Sequence, residues 1–281
     1  MNLSRRSLLK FSLGAAALSA AGPRWSFGQS ADESSKKKIP IGLQLYSLRT
    51  VIKQDVPGTL KAVAAMGYQG VEFAGYFGMK APDLRKLLDD VGLKCCGTHT
   101  KMETLSGDQL KQTVEYNQIL GNPFLIVPSL KMESLAVMLD MAKKFTALAE
   151  QLKPQGMRVG YHAHQHDFKP VADRIPWDVL FTNAGPDVVM QLDTGNCIQG
   201  GADPVAVLKK FPHQSATVHL KEFGGPKDAV IGQGVVPWAQ VFEVCETTGD
   251  TQWYVVEYEK TSGSPLEHVK LCLENLRKMG K

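Results

Sequence analysis

The most restrictive feature of this 281-residue chain is a texture that alternates regularly from Ile39 onward. Short β-branched or apolar runs recur at 39–47 (IPIGLQLYS), 70–75 (GVEFAG), 93–99 (LKCCGTH) and 124–129 (FLIVPS). They continue at 158–164 (RVGYHAH), 187–194 (DVVMQLDT), 216–223 (ATVHLKEF) and 253–259 (WYVVEYE). Between them lie segments of helical period rich in Ala, Leu, Lys and Glu, such as MESLAVMLDMAKKFTALAEQLKPQG. Strands joined through helices run parallel, because only a long crossover returns the chain to the same end of a sheet. Eight such units match the usual size of roughly 250 residues for a (β/α)8 barrel. The fold class is therefore α/β, with a single barrel domain over 39–281. A doubly wound open sheet is the alternative, but no GxGxxG follows the first strand to support it. Glycines 67, 92, 121, 156 and 249 stand just before the next strand, where C-terminal helix caps are expected.

A barrel of this kind draws its functional residues from the C-terminal ends of its strands. Polar residues collect at those ends: Glu72, His99, His162 and His164, Asp193, His219 with Lys221, and Glu257 with Glu259. Three of the seven histidines fall within RVGYHAHQHDF, and in a continuing strand His162, His164 and His166 would share one face. A lone strand histidine is ordinarily structural, Asp193 could simply cap a turn, and Glu257 could be a surface acid. Four such residues on four adjacent strands are harder to explain separately. Imidazole and carboxylate together suit Zn, Mn, Co or Fe(II). His162, Asp193, His219 and Glu257 are thus the candidate ligands of one divalent ion. His164 is a neighbour suited to proton transfer, and His166 is incidental.

The first residues have a different character. SRRSLLKF places Arg5 and Arg6 before an alanine-rich apolar run and then a small-residue region ending near Ala31. That pattern predicts a twin-arginine export signal over 1–31, a solvated linker over 32–38, and a periplasmic or secreted protein. Residues 1–31 hold four of the 32 basic residues and no acid, so the remaining chain is formally neutral with 28 of each sign. Nucleic-acid binders normally carry a basic surplus, which argues against that partner class. No later apolar run suits stable membrane insertion once the signal is removed. The five cysteines have no CxxC spacing and read as buried free thiols.

The stretches IGLQLYSLR, GYQGVEFAG, YHAHQHDF, QLDTGN, VHLKEF, IGQGVVPW and WYVVEYE together resemble the sugar isomerase/epimerase superfamily with the xylose isomerase-like TIM barrel. The resemblance covers essentially all of the chain after the export signal. It implies that Asp193, His219 and Glu257 are metal ligands and that Glu72 and Lys221 line a sugar pocket. It also puts Asp167 where relatives often carry glutamate. The chain departs from the pattern with His162 on strand five, where characterised epimerases place a glutamate, and with Asn196 where some relatives have histidine. His99, Asp167 and Asn196 are expected to touch the sugar. Glu257 or His164 would be the base, and Lys221 or Glu72 the proton donor. The implied activity is a metal-dependent isomerase or epimerase working through an enediolate on an unphosphorylated sugar or keto-sugar. A keto-sugar lyase or hydratase would use the same groups, and a non-catalytic exported sugar-binding protein is the reading from another class. A barrel nuclease of the endonuclease IV type would need a basic groove that the neutral charge does not favour. An oligomer is compatible with the sequence.

Overall fold

The computed structural model describes residues 38–260 and 262–281. The export signal expected over 1–31, and all but the last residue of the expected linker, lie outside the described residues. Eight parallel strands run in the order β6-β5-β4-β3-β2-β1-β8-β7. They are β1 (Ile41–Gln44), β2 (Gly70–Phe73), β3 (Lys94–His99), β4 (Phe124–Val127), β5 (Arg158–His162), β6 (Val189–Gln191), β7 (Thr217–Leu220) and β8 (Trp253–Val256). The seam between β6 and β7 is closed by two backbone bonds, His219 N–H to Leu192 C=O (2.8 Å) and Met190 N–H to Gln214 C=O (2.8 Å). An isolated parallel bridge pairs Asp193 with His219 on this seam.

Among the described residues nine α-helices surround the strands. They are α1 (Val56–Met66), α2 (Ala81–Val91), α3 (Gly107–Leu120), α4 (Leu135–Leu152), α5 (Pro176–Asn183), α6 (Thr194–Gln199), α7 (Pro204–Lys210), α8 (Trp238–Thr247) and α9 (Pro265–Lys278). Local chemistry sets their ends. Asp55 accepts from Gly58 N–H ahead of α1, Ser134 from Val137 N–H ahead of α4, and Ser264 from Glu267 N–H ahead of α9. Gly67, Gly92, Gly121 and Gly156 take left-handed backbone at the expected stops. Gly249 does not: α8 ends at Thr247 with Thr248 as its cap, and Asp250 takes the left-handed turn instead.

Two differences from the sequence expectation bear on function. The strands end earlier than their apolar runs suggest, so Asp193 and Glu257 stand one or two residues past β6 and β8. The fifth strand stops at His162, and Gln165–Phe168 forms a 3-10 turn preceded by His164 as its cap. Strand alternation therefore does not continue through His164 and His166.

Packing divides into an outer core and a barrel interior. Leu125 and Val127 of β4 join the large core shared with the helices. Phe124 and Ile126 alternate with them, face the other way, and meet Val189 and Ala216, with Trp253 against the cluster. These residues belong mostly to the starts of their strands, so the barrel's N-terminal end is filled with apolar side chains. Toward the C-terminal end the interior becomes polar: Gln44, Glu72, Gln191, Thr217 and His219 are all fully buried. The register between β2 and β3 shifts at Val71/Glu72. A side chain at Gly97 would collide with the Glu72 carboxylate, so the glycine makes room for a charge inside the barrel.

The five cysteines are buried and free, as their spacing suggests. No helix among the described residues is long and apolar enough to cross a membrane.

Candidate metal centre

His162 ends β5, Asp193 follows β6, His219 lies in β7 and Glu257 follows β8. One potential ligand atom from each lies within 4.8 Å of those from the other three, and all four residues are buried. The separations suit a single ion, since nitrogen and oxygen ligands bind zinc at about 2.0–2.2 Å. Asp193 supplies the most direct test of fit. Its Oδ1 accepts from Asn196 N–H at 2.7 Å and so caps α6. Its Oδ2 is buried and has no hydrogen-bond partner among the described residues. A buried carboxylate oxygen left unpaired is costly unless a cation faces it. The cluster thus combines a borderline donor set with an orphaned anionic oxygen, and these residues fit a divalent ion.

The electrostatics are strongly perturbed. Burial raises Asp193 to about 7, Glu257 adds to that rise, and Lys221 and His219 oppose it. Burial also works against charge on His219, but the carboxylates of Glu72 and Glu257 on either side overcome it and lift the imidazole to about 10. His219 Nδ1 lies 2.7 Å from Glu257 Oε2, and Nε2 lies 2.6 Å from Glu72 Oε2. Glu257 is pushed up by burial, yet Lys221, His219 and His162 hold it well below the usual carboxylate range. Burial and the nearby His219 depress His162, keeping it neutral.

Other expected site residues divide into those near open space and those enclosed by protein. Lys221 lines a cavity of about 440 Å³ with Glu257, Glu259, Phe223 and the Gly224–Gly225 turn. Its ammonium pairs with Glu259, donates to Asn196 Oδ1 at 3.3 Å and lies 3.9 Å from Asp193 Oδ2. Burial opposes its charge, but Asp193, Glu257 and Glu259 raise its pKa. His164 packs edge-on to His162 at 5.0 Å between ring centroids, its Nδ1 buried without a partner, and burial lowers it to about 4. His166 is half exposed and lies 3.4 Å from Asp167.

Glu72, expected in the pocket wall, is instead fully enclosed. It accepts from Gln44 (2.7 Å), Gln191 (2.8 Å) and His219 (2.6 Å). Burial raises its pKa, but His99 and His219 overcome that and hold it well below the usual carboxylate range. His99 is directed toward the same group, with Nε2 3.2 Å from Glu72 and 3.1 Å from Gln191 Oε1. Asp167 is also enclosed: it accepts from Tyr161 hydroxyl at 2.9 Å and His164 N–H at 2.7 Å, tying the turn after β5. Burial raises it to about 6. Asn196 is buried and donates to Ala163 C=O. In this structure the polar atoms of these residues are engaged by protein groups.

Sequence reading missed Gln44, Gln191 and Glu222. Each glutamine interrupts an otherwise apolar strand, and Gln191 stands two positions before Asp193. Glu222 accepts from Phe223 N–H (3.0 Å), Gly232 N–H (2.7 Å), Val236 N–H (3.2 Å) and Trp238 Nε1–H (3.0 Å). It thereby organises residues 223–236, whose first part forms the outer wall of the cavity.

Comparisons with known proteins agree with this architecture. A family model described as xylose isomerase-like TIM barrel matches residues 60–279. The rhizopine catabolism protein MocC of Rhizobium meliloti is 24% identical over 265 residues, covering 78% of this chain and 80% of MocC. Inosose dehydratase of Clostridium tetani is 26% identical over 151 residues, covering 46% of this chain and 50% of that enzyme. A crystal structure of a sugar phosphate isomerase/epimerase from Parabacteroides distasonis aligns with a TM-score of 0.76 at 25% identity, covering 86% of this chain and 98% of that one.

Proposed function

The chain belongs to the xylose isomerase-like TIM barrel family, and from that premise we propose that it is a divalent-metal-dependent isomerase or epimerase of a small sugar or keto-sugar. The observation that carries the reading is the convergence of His162, Asp193, His219 and Glu257, with Asp193 Oδ2 unpaired beside the Lys221 ammonium. Those four side chains would hold the ion, which when bound supplies Lewis-acid polarisation of a carbonyl and its neighbouring hydroxyl. Glu257 is ionised and borders the open cavity, so one of its oxygens can take a proton from carbon. Lys221 keeps a positive charge at the same wall, where it stabilises a developing oxyanion and can return a proton. His164, neutral and adjacent to His162, is the second candidate for proton movement.

One observation favours a second reading, dehydration or another elimination of a keto-sugar. Epimerisation needs a base on one face and an acid on the other, whereas His162 stands where the resemblance expects a glutamate. Glu257 with Lys221 suffices for removing one proton and protonating a leaving hydroxyl. The partial likeness to inosose dehydratase points the same way. We further propose export by the twin-arginine route to the periplasm or beyond, which favours an unphosphorylated substrate.

The test is metal analysis of purified protein, followed by deuterium exchange at substrate carbon in D2O across sugars, keto-sugars and inososes. Exchange that disappears on chelation and returns with Mn, Zn, Co or Fe(II) supports the reading. An epimer as product selects the first outcome, and loss of water selects the second. Sugar binding without exchange would leave a non-catalytic binding protein, and neither metal nor exchange would sink both enzymatic readings.

A further inference from the structure

Gln191 is the last residue of β6, is fully buried and contacts four polar groups at once. Its Nε2 lies 2.8 Å from Glu72 Oε1 and 3.0 Å from Thr217 Oγ1. Its Oε1 lies 3.0 Å from His162 Nδ1 and 3.1 Å from His99 Nε2. Only one orientation of the amide is consistent with these neighbours. A carboxylate accepts and does not donate, so the NH2 group must face Glu72. The amide oxygen then faces both imidazoles and needs a hydrogen on each contacting nitrogen.

We propose that Gln191, backed by Glu72, is the positioning residue that determines which ring nitrogen of His162 faces the centre. The bond to Gln191 places hydrogen on His162 Nδ1 and leaves Nε2, 3.8 Å from Glu257 Oε2, as the nitrogen with a free lone pair. Glu72 also fixes the ring orientation of His219. It accepts from Nε2 and leaves Nδ1 directed at Glu257. Glu72 also receives a hydrogen bond from Gln44 Nε2, so β1 and β2 fix the orientation of groups presented by β5, β6 and β7. Hydrogen bonds from the far ring nitrogen to an amide or carboxylate are how proteins fix the tautomer of a ligating histidine. Strands β1 and β2, which carry none of the four ligands proposed above, thus have a defined task. The tautomer assignment stands on hydrogen-bond geometry, and its consequence for affinity rests on the metal reading above.

The experiment uses protein labelled with 15N in its histidines, stripped of metal, with long-range 1H–15N spectra assigned through His99→Asn and His162→Asn variants. Zinc affinity is measured alongside by chelator competition. Wild-type protein is expected to show His162 protonated on Nδ1. A folded Gln191→Leu variant is expected to show mixed tautomers there and a zinc affinity lower by about 10–100-fold. Gln191→Glu combined with Glu72→Gln, which exchanges donor and acceptor between the two positions and keeps an oxygen acceptor toward His162, is expected to restore both toward wild type. His162 protonated on Nε2 in the wild type would overturn the proposal, as would unchanged zinc affinity in folded Gln191→Leu. Failure of the wild type to bind zinc would count against the metal reading alone, because the tautomer is read without metal. Failure of Gln191→Leu to fold leaves the decision to the spectra of the wild type and of the combined Glu72→Gln, Gln191→Glu variant.

Discussion

Two histidine–carboxylate pairs lie near opposite ends of β7 and differ in almost everything except their chemistry. His219 meets Glu257 at 2.7 Å with side chains 0% and 5% exposed. His213, six residues earlier, meets Asp250 at 3.1 Å with side chains 65% and 62% exposed. Water and salt screen the second pair, so it is worth little to stability or to chemistry. The first pair must be stabilised by the protein itself. It is embedded in a network with Glu72, Gln191, Gln44 and Lys221, whose charges and donors offset the cost of burial. The contrast shows why residue type alone identifies no site: the enclosing groups determine whether a His–carboxylate pair is functional equipment or surface decoration.

The comparison breaks most sharply at Glu72. Replacing it with alanine leaves His219, Gln44 and Gln191 donors buried without their acceptor. Removing one partner of a buried charged pair typically costs about 3–5 kcal/mol. Urea denaturation of Glu72→Ala should show a loss of that order, with Glu72→Gln losing less because the amide still offers one acceptor. A cost for Glu72→Ala below about 1 kcal/mol, the usual ceiling for exposed pairs, would erase the distinction between the two ends.

The same contrast marks what the sequence could reveal. The alternation of apolar runs and helical segments made the eight-stranded barrel legible, because each parallel strand is buried on both faces and reads as a continuous apolar run. Residues at strand ends were legible for the same reason: Asp193, His219 and Glu257 interrupt or terminate such runs. Depth along the barrel axis was not. Glu72, Asp167 and Lys221 look alike as polar residues near strand ends, yet the first two are enclosed and only Lys221 borders the cavity. The Glu72 position depends on Gly97 across the register shift, a relation between strands that no local pattern contains. Gly249 misled because left-handed backbone fell on the following Asp250, a residue type that tolerates it.

Glu222 provides an intermediate case between the two pairs. Its carboxylate is partly buried and accepts four N–H donors, three of them from the backbone of the β7–α8 connection. Glu222→Ala is expected to cost about 1–3 kcal/mol, the range for leaving partly buried donors unpaired. Hydrogen exchange should accelerate at Phe223, Gly232 and Val236 while amides of β5 and β6 keep their protection. Uniform acceleration throughout the barrel would mean that the residue supports the whole fold rather than this connection.

The smallest effect is expected at the exposed pair, and the substitution must be chosen with the backbone in mind. His213 and Asp250 both have positive φ, 65° and 54°. Alanine at either position would add backbone strain that has nothing to do with the pair. Asparagine tolerates left-handed backbone and removes the charge, so His213→Asn and Asp250→Asn isolate the side-chain interaction. Each should change stability by no more than about 0.5 kcal/mol, and the double-mutant cycle should give a coupling in the usual range of about 0–1 kcal/mol for exposed pairs. Added salt should reduce the coupling further, because both partners face water. His213→Ala should cost more than His213→Asn, and the excess reports the backbone. A coupling comparable to the loss at Glu72 would show that the exposed pair is held as firmly as the buried one, and exposure would no longer explain why the two ends of β7 differ.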